Sequence, residues 1–289
     1  MKLKEDNHYV FSACDTVKLA KKYGTPLYVI SGDKIKEKIR EIKEVFLEKY
    51  NNTKAAYASK AFLTLTMCKI IEKEGLDLDV VSGGELYTAL KAGFPMKRII
   101  FHCNNKSWEE LELAVDNNVG RIVVDNLHEL EMLEAIAGER GKVVKILFRL
   151  APGIEGQTHE YIITGQKDSK FGIPLEAKKI QDIIKQVMGS KNLKLKGFHF
   201  HLGSQLFDKD IYISAIQVMI KLAHELKEKL GFELAELNTG GGFGIRYTDE
   251  DKPKPLAYFV DAIMETVEDQ CKKYKLEIPT IIIEPGRWV

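Results

Sequence analysis

Along the chain, short runs of β-branched and aromatic residues alternate with longer stretches in which apolar positions recur every three or four residues. The first pattern predicts strands and the second predicts helices. The runs are PLYVI (26–30), TKAAYAS (53–59), LDVVS (78–82), RIIFH (98–102), RIVVD (121–125), KILFRL (145–150), KGFHFH (196–201), ELNTG (236–240) and TIIIEPG (280–286). Helical stretches fall at 33–49, 61–74, 84–92, 107–118, 127–138, 175–188, 209–229 and 256–274. With the first run set aside, eight strands remain, each beside a helix. Such alternation implies parallel strands joined by right-handed crossovers. The prediction is an α/β fold, a (β/α)8 barrel of the TIM type over residues 31–289. A doubly wound sheet is the competitor, but it needs a glycine fingerprint after its first strand, and none is there.

Two features sit awkwardly on this pattern. The helix at 33–49 precedes the first barrel strand and no helix follows the last, so the early helix is expected in the vacant slot. The chain stops at EPGRWV with no turn after an apolar strand, which reads as a truncation. Residues 1–30, with the strand HYVFSA, are then expected to lack a packing partner. Apolar surface is expected near 8–13 and 284–289.

Composition narrows the class without choosing a function. The 289 residues are 45% hydrophobic and 29% charged, enough apolar material for a large core. A net charge of +1 gives no field favouring nucleic acid or an anionic membrane. No stretch reads as a secretory signal or a transmembrane span. Cys14, Cys68, Cys103 and Cys271 are scattered without a CxxC pair, which fits reduced thiols in a cytoplasm.

In a barrel, the carboxyl ends of the strands face the site. Here those ends carry Lys60, Asp79 and Ser82, His102, Asp125, Arg149, His201, the glycines after Thr239, and Glu284 with Arg287. Any one alone reads as a solvated loop residue; a full ring of ionisable groups points to chemistry. In TGGGFGIRY, Gly240, Gly241, Gly242 and Gly244 follow the seventh strand. Glycine amides there can form an anion-binding concavity, against the plainer reading of a tight turn. The spacing is not GxGxxG, so a dinucleotide is disfavoured. In EPGR, Arg287 can reach an anion, and a buried Glu284 needs a positive or protonated partner. His199 and His201 alternate onto one face of one strand; an HxH pair can bind zinc, but no third ligand stands out, so no metal is expected. His201 is read instead as packing flat on a ring, and His199 as a satisfied core histidine. Ser204 follows in a loop as a phosphate donor. The connection from Pro152 to Pro174 is long enough to be a functional lid.

An enclosed lysine, a phosphate nest, a carboxylate on an apolar strand and a ring-packing histidine together match pyridoxal 5′-phosphate. In that order YASKA, LDVVSGGEL, THEYIITGQKDSKFG, FHFHLGSQ, NTGGGFGI and EPGR resemble the diaminopimelate decarboxylases. These are fold-type III pyridoxal-phosphate enzymes, like the ornithine and arginine decarboxylases and alanine racemase. The resemblance runs from Tyr23 to the end of the chain. It implies decarboxylation of meso-diaminopimelate to L-lysine and CO2, in lysine biosynthesis, by a cytoplasmic homodimer. It implies that Lys60 holds the cofactor as a Schiff base, His201 stacks on the pyridine ring and Glu284 binds the ring nitrogen. Ser204, Gly240, Gly241, Gly242 and the Pro285–Gly286–Arg287 corner would hold the phosphate, with Arg287 also facing the amino-acid substrate. Asp79 and Arg149 would form the polar shell near the ring. Family members continue into a β-sandwich domain bearing a Cys-Glu-Ser-Gly-type motif and further substrate ligands, and none of these occurs in the sequence. Alternatives are a related decarboxylase (of ornithine, arginine, carboxynorspermidine or a carrier-bound amino acid), a non-catalytic barrel carrying the same cofactor, and a Schiff-base aldolase.

Overall fold

A computed structural model describes residues 2–3, 8–153 and 170–289. Eight parallel strands close into a barrel: β4 (Thr53–Ala58), β5 (Asp77–Val80), β6 (Ile99–Phe101), β7 (Arg121–Val124), β8 (Val144–Ala151), β10 (Leu193–His199), β11 (Glu236–Asn238) and β12 (Thr280–Ile283). The β12–β4 register Ile281↔Thr53 and the β10–β8 register Leu193↔Val144 close the ring. A short strand β9 (Ile173–Pro174) adds to the end of β8. At the amino end β1 (Lys2–Leu3), β2 (Tyr9–Phe11) and β3 (Cys14–Asp15) form a small antiparallel sheet. The barrel is therefore the expected one.

The helices are α1 (Thr16–Tyr23), α2 (Gly32–Ile42), α3 (Leu65–Lys73), α4 (Gly83–Ala92), α5 (Trp108–Asp116), α6 (Leu127–Glu139), α7 (Ala177–Met188), α8 (Asp210–Leu230) and α9 (Leu256–Tyr274). The stretch 33–49 is α2 followed by one π-helical turn, Lys43–Leu47. It packs where a final helix would lie: Lys49 Nζ and Tyr50 Oη both donate to Asp261 of α9, and Lys38 lies 3.9 Å over the Trp288 ring. Trp288 is consequently buried, which corrects the expectation of apolar exposure around 284–289. Tyr9 is exposed, as expected for 8–13. PLYVI forms no strand and leaves Tyr28 95% exposed, because its apolar side chains meet no core.

Period two sorts each strand into an outer and an inner face. Tyr57, Leu78, Val80, Phe101, Ile122, Val124, Phe198, Leu237, Ile281 and Ile283 face the helices in the main core. Ala56, Ile100, Val123, Leu147 and Ile282 form a separate apolar layer inside the barrel. Two residues further along, the same inward register carries Ala58, His102, Asp125, Arg149 and Glu284. At the opposite end Arg121 of β7 grips Glu236 of β11 with both guanidinium arms, Nε to Oε2 at 2.6 Å, and Arg98 Nε donates to Asp77 at 3.1 Å. The barrel thus has an ion-paired floor, an apolar waist and a polar mouth.

The βα loops at the mouth end in helix caps. Thr64, Ser82, Ser107 and Asn126 each accept from the backbone N–H three residues on, and Ser107 completes a capping box with Glu110. In the loop after β6, Cys103 is held at φ +123°, a region that glycine occupies without steric cost. Cys103→Gly is expected to stabilise the fold by about 1 kcal/mol and raise Tm by roughly 2–4 °C in thermal unfolding. An unchanged or lower Tm would show that the cysteine side chain compensates for its own backbone.

Candidate active site

The mouth opens into a cavity of about 390 Å³, within the ~300–1,000 Å³ range of small-molecule sites. One wall is Ala58, Lys60 and Ala61, from the end of β4 and the 3-10 turn Ser59–Ala61. Ser59 Oγ donates to Glu85 at 2.5 Å, and Val81 N donates to the same oxygen at 2.7 Å, so Glu85 fixes the turn that presents Lys60. Lys60 is exposed rather than enclosed. Small, buried Ala58 and Ser59 read as a pocket in the sequence, but the chain turns outward just after them.

The opposite wall comes from the EPGR corner and the loop after β10. Glu284, Pro285, Gly286, Arg287 and Trp288 line it with His201, Ser204, Gly242 and Phe243. Backbone bonds lock the corner between its neighbours: Glu284 N donates to Gly240 O at 2.8 Å, and Ala58 N donates to Pro285 O at 3.0 Å. Arg287 donates to Ser204 Oγ and, at 2.6 Å, to Tyr247 Oη. Tyr247 was not singled out by the sequence; it lies in the loop just beyond the glycines.

The glycines divide into two groups. Gly240 N donates to Asn238 Oδ1 at 2.9 Å, Gly241 N to His201 Nδ1 at 3.3 Å, and Gly244 N to Leu206 O at 2.9 Å. A Cβ on Gly241 would lie 1.9 Å from Glu284 O, and one on Gly242 2.1 Å from Gly203 O. Close approach of three strand ends therefore requires glycine here, independently of any anion. Gly242 and Gly286 line the cavity, while Gly240 and Gly241 stand behind it.

Beneath the cavity lies a buried polar layer. Glu284 Oε1 accepts from Asn238 Nδ2 at 2.6 Å, and Oε2 lies 3.3 Å from His199 Nε2. His199 Nε2 is also 3.0 Å from His102 Nε2, with the two rings edge to face. Asp79 is buried with its Oδ1 unpaired. Arg149 reaches Asp125 at 3.4 Å and lies 4.4 Å over the Phe171 ring. Asn238 and Phe171 also escaped the sequence reading, although Asn238 shares the inward register of β11 with Glu236. Ser82 caps α4 and does not line the cavity.

Electrostatics separate the two carboxyls. Burial, then the neighbouring charge of Glu284, pushes Asp79 well above the usual carboxylate range. Burial pushes Glu284 up too, but His199, Asn238 and Lys60 outweigh it and hold that group below its usual range. Glu284 thus carries the charge and Asp79 the proton. Burial, with the positive charges of Lys60 and Arg149, keeps His201 neutral. Burial keeps His102 neutral and lowers His199. A neutral His201 accepting at Nδ1 carries its proton on Nε2.

The HxH expectation needs correction. β10 ends at His199, and the partners that His199 meets are His102 and Glu284, with ligand atoms within 4.8 Å of one another. A third metal-capable group therefore exists. His199 Nδ1 is buried without a partner, however, so the outer hydrogen bond that normally orients a metal-bound histidine is missing. The lid expectation for Pro152–Pro174 falls largely outside the described residues.

Comparison with known proteins places this geometry in a family. A family described as "Pyridoxal-dependent decarboxylase, pyridoxal binding domain" matches residues 32–289. The diaminopimelate decarboxylase of Bacillus methanolicus is 47% identical over 286 residues, covering 99% of this chain and 66% of the relative. That of Bacillus subtilis is 45% identical over 283 residues, with 98% and 64% covered. A crystal structure of diaminopimelate decarboxylase from M. jannaschii superposes with a TM-score of 0.90 at 34% identity, covering 99% of this chain and 66% of that one. A second, in complex with L-lysine, gives 0.89 at 35% identity. The chain spans slightly less than two thirds of the length of these relatives.

Proposed function

The chain belongs to the pyridoxal-dependent decarboxylases through its pyridoxal-binding domain, and on that footing we propose that it is the cofactor-binding barrel of an enzyme converting meso-diaminopimelate to L-lysine and CO2. The observation that carries the reading is the single cavity uniting Lys60, His201, Ser204, Gly242, Glu284 and Arg287.

The residues fit the cofactor. The buried Oδ1 of Asp79 has no partner, and the charged, buried Glu284 lines the same cavity as Lys60. Lys60 would hold the cofactor, Glu284 its ring nitrogen and His201 its ring face. Ser204, Gly242, Pro285, Gly286 and Arg287 would hold the phosphate along the cavity wall, with Gly240 and Gly241 shaping that wall from behind. When bound, the cofactor supplies an electron sink for the carbanion left as CO2 departs. Glu284, kept ionised, holds a proton at the ring nitrogen, and the protonated Asp79 adds no second charge there. Arg149, buried and counter-charged by Asp125, contributes a fixed positive field. Arg287, exposed at the rim and held by Ser204 and Tyr247, would meet a substrate carboxylate as well as the phosphate.

The domain reading is part of the proposal: residues 31–289 as the barrel, and 1–30 packing with a β-rich domain. So is a homodimer, supported by apolar side chains exposed around the mouth, Phe62, Leu65, Trp108 and Leu127. A reducing cytoplasmic setting is supported by four unpaired cysteines. Among the described residues no helix is long and apolar enough to cross a membrane.

The test is direct. Mixed with pyridoxal phosphate, the 289-residue chain is expected to develop visible absorbance from bound cofactor. A chain extended to the length of its relatives is expected to release L-lysine and CO2 from meso-diaminopimelate. No absorbance would sink the cofactor reading. Conversion of ornithine or arginine with meso-diaminopimelate left untouched would sink the substrate reading.

A further inference from the structure

The carboxylate of Glu284 is buried at the end of an apolar strand, and something must keep it ionised. Asn238 supplies one donor to Oε1. The second contact, His199 Nε2 to Oε2, helps only if that nitrogen bears the proton. The surroundings decide this. Were the proton on Nδ1, it would be a buried donor with no acceptor, while the bare Nε2 lone pair faced both the carboxylate and His102. With the proton on Nε2, the orphan is an acceptor, which proteins tolerate better than an orphan donor. The Nε2–H then lies between Glu284 Oε2 at 3.3 Å and His102 Nε2 at 3.0 Å. His102 must accept, and its own proton is consigned to Nδ1.

We propose that His199 is a positioning residue that keeps Glu284 a carboxylate, and that His102 holds His199 in the tautomer this requires. The pair acts through Glu284 and touches no reacting atom. Its effect on a ring nitrogen rests on the cofactor reading above; its effect on Glu284 does not. Without the His199 donor, burial pushes Glu284 to take a proton from solvent.

Two readouts separate these levels. In the unloaded 289-residue chain, infrared spectra of His199→Leu are expected to gain a further protonated-carboxyl band beside the one that Asp79 gives in wild type. Adding Glu284→Gln should remove that band. His199→Gln, which keeps an N–H donor, should not show it. In chains loaded with 15N-labelled pyridoxal phosphate, the ring-nitrogen resonance of His199→Leu is expected to move toward unprotonated pyridine. Cofactor affinity should fall roughly tenfold or more, with His199→Gln close to wild type on both counts. Circular dichroism on each variant reports folding. No new carboxyl band in folded His199→Leu overturns the proposal, as does an equal band in His199→Gln. Wild type that fails to bind the cofactor overturns the functional reading and leaves the infrared result to decide this one.

Discussion

Lys60→Ala is expected to abolish the visible absorbance that pyridoxal phosphate gives with the wild-type chain. In the extended enzyme it is expected to lower lysine release by on the order of a thousandfold or more. The structure makes the variant clean. Lys60 is exposed, sits on a turn fixed by Ser59 and Glu85, and among the described residues donates no hydrogen bond that shapes the mouth. Thermal unfolding should therefore barely change. Its charge does bear on Asp79, Glu284 and His201, so removing it weakens the hold on the Glu284 charge. Retained absorbance in a folded Lys60→Ala protein would show that another amine holds the cofactor.

The largest expected effect on stability lies beside the mouth, at Lys106. Its ammonium is fully buried and donates to Cys103 O at 2.8 Å, Val123 O at 2.7 Å and Glu129 Oε1 at 2.7 Å. Glu129 in turn accepts from Asp125 N at 3.0 Å, tying the loops after β6 and β7 together. Lys106→Ala leaves a buried carboxyl and two carbonyls without their donor, a loss of roughly 3–5 kcal/mol. Burial already holds Glu129 above its usual range, with Lys106 pulling it back. Without Lys106 the folded state binds a proton there that the unfolded chain releases, so stability falls as pH rises above the unfolded value. The deficit should be smaller in mild acid than at neutral pH in denaturant titrations. A pH-independent loss under 1 kcal/mol would mean that water enters and replaces the ammonium.

The barrel was legible because most strands are short apolar runs whose alternate residues must face either helices or lumen, and α3 to α6 carry their own side-chain caps. Agreement is closest where a long helix carries a clear apolar stripe, as for α9 at 256–274. It fails at PLYVI, where apolar character without a neighbouring surface makes no strand. It also misses α1, although Asp15 capping Lys18 N is a readable signal. At the mouth, period two alone predicts which groups converge, so His102, Asp125, Arg149 and Glu284 were all in view. What it does not predict is which of them touch. The contact of His199 with His102 joins residues 97 positions apart, and only the closure of the ring brings them together. The glycines were read for what their amides could bind, whereas the distance from Gly241 to Glu284 O shows how closely the strand ends must pass.

The clasp of Arg121 and Glu236 lies at the far end of the lumen from the cavity, with the apolar waist between them. Fastening and chemistry are thus assigned to opposite ends of the same strands. Residues at the rim can be exchanged over evolutionary time, or by a protein engineer, without unfastening the ring. A new substrate range should be reachable by rewriting loops while Arg121, Glu236 and the five waist residues stay fixed.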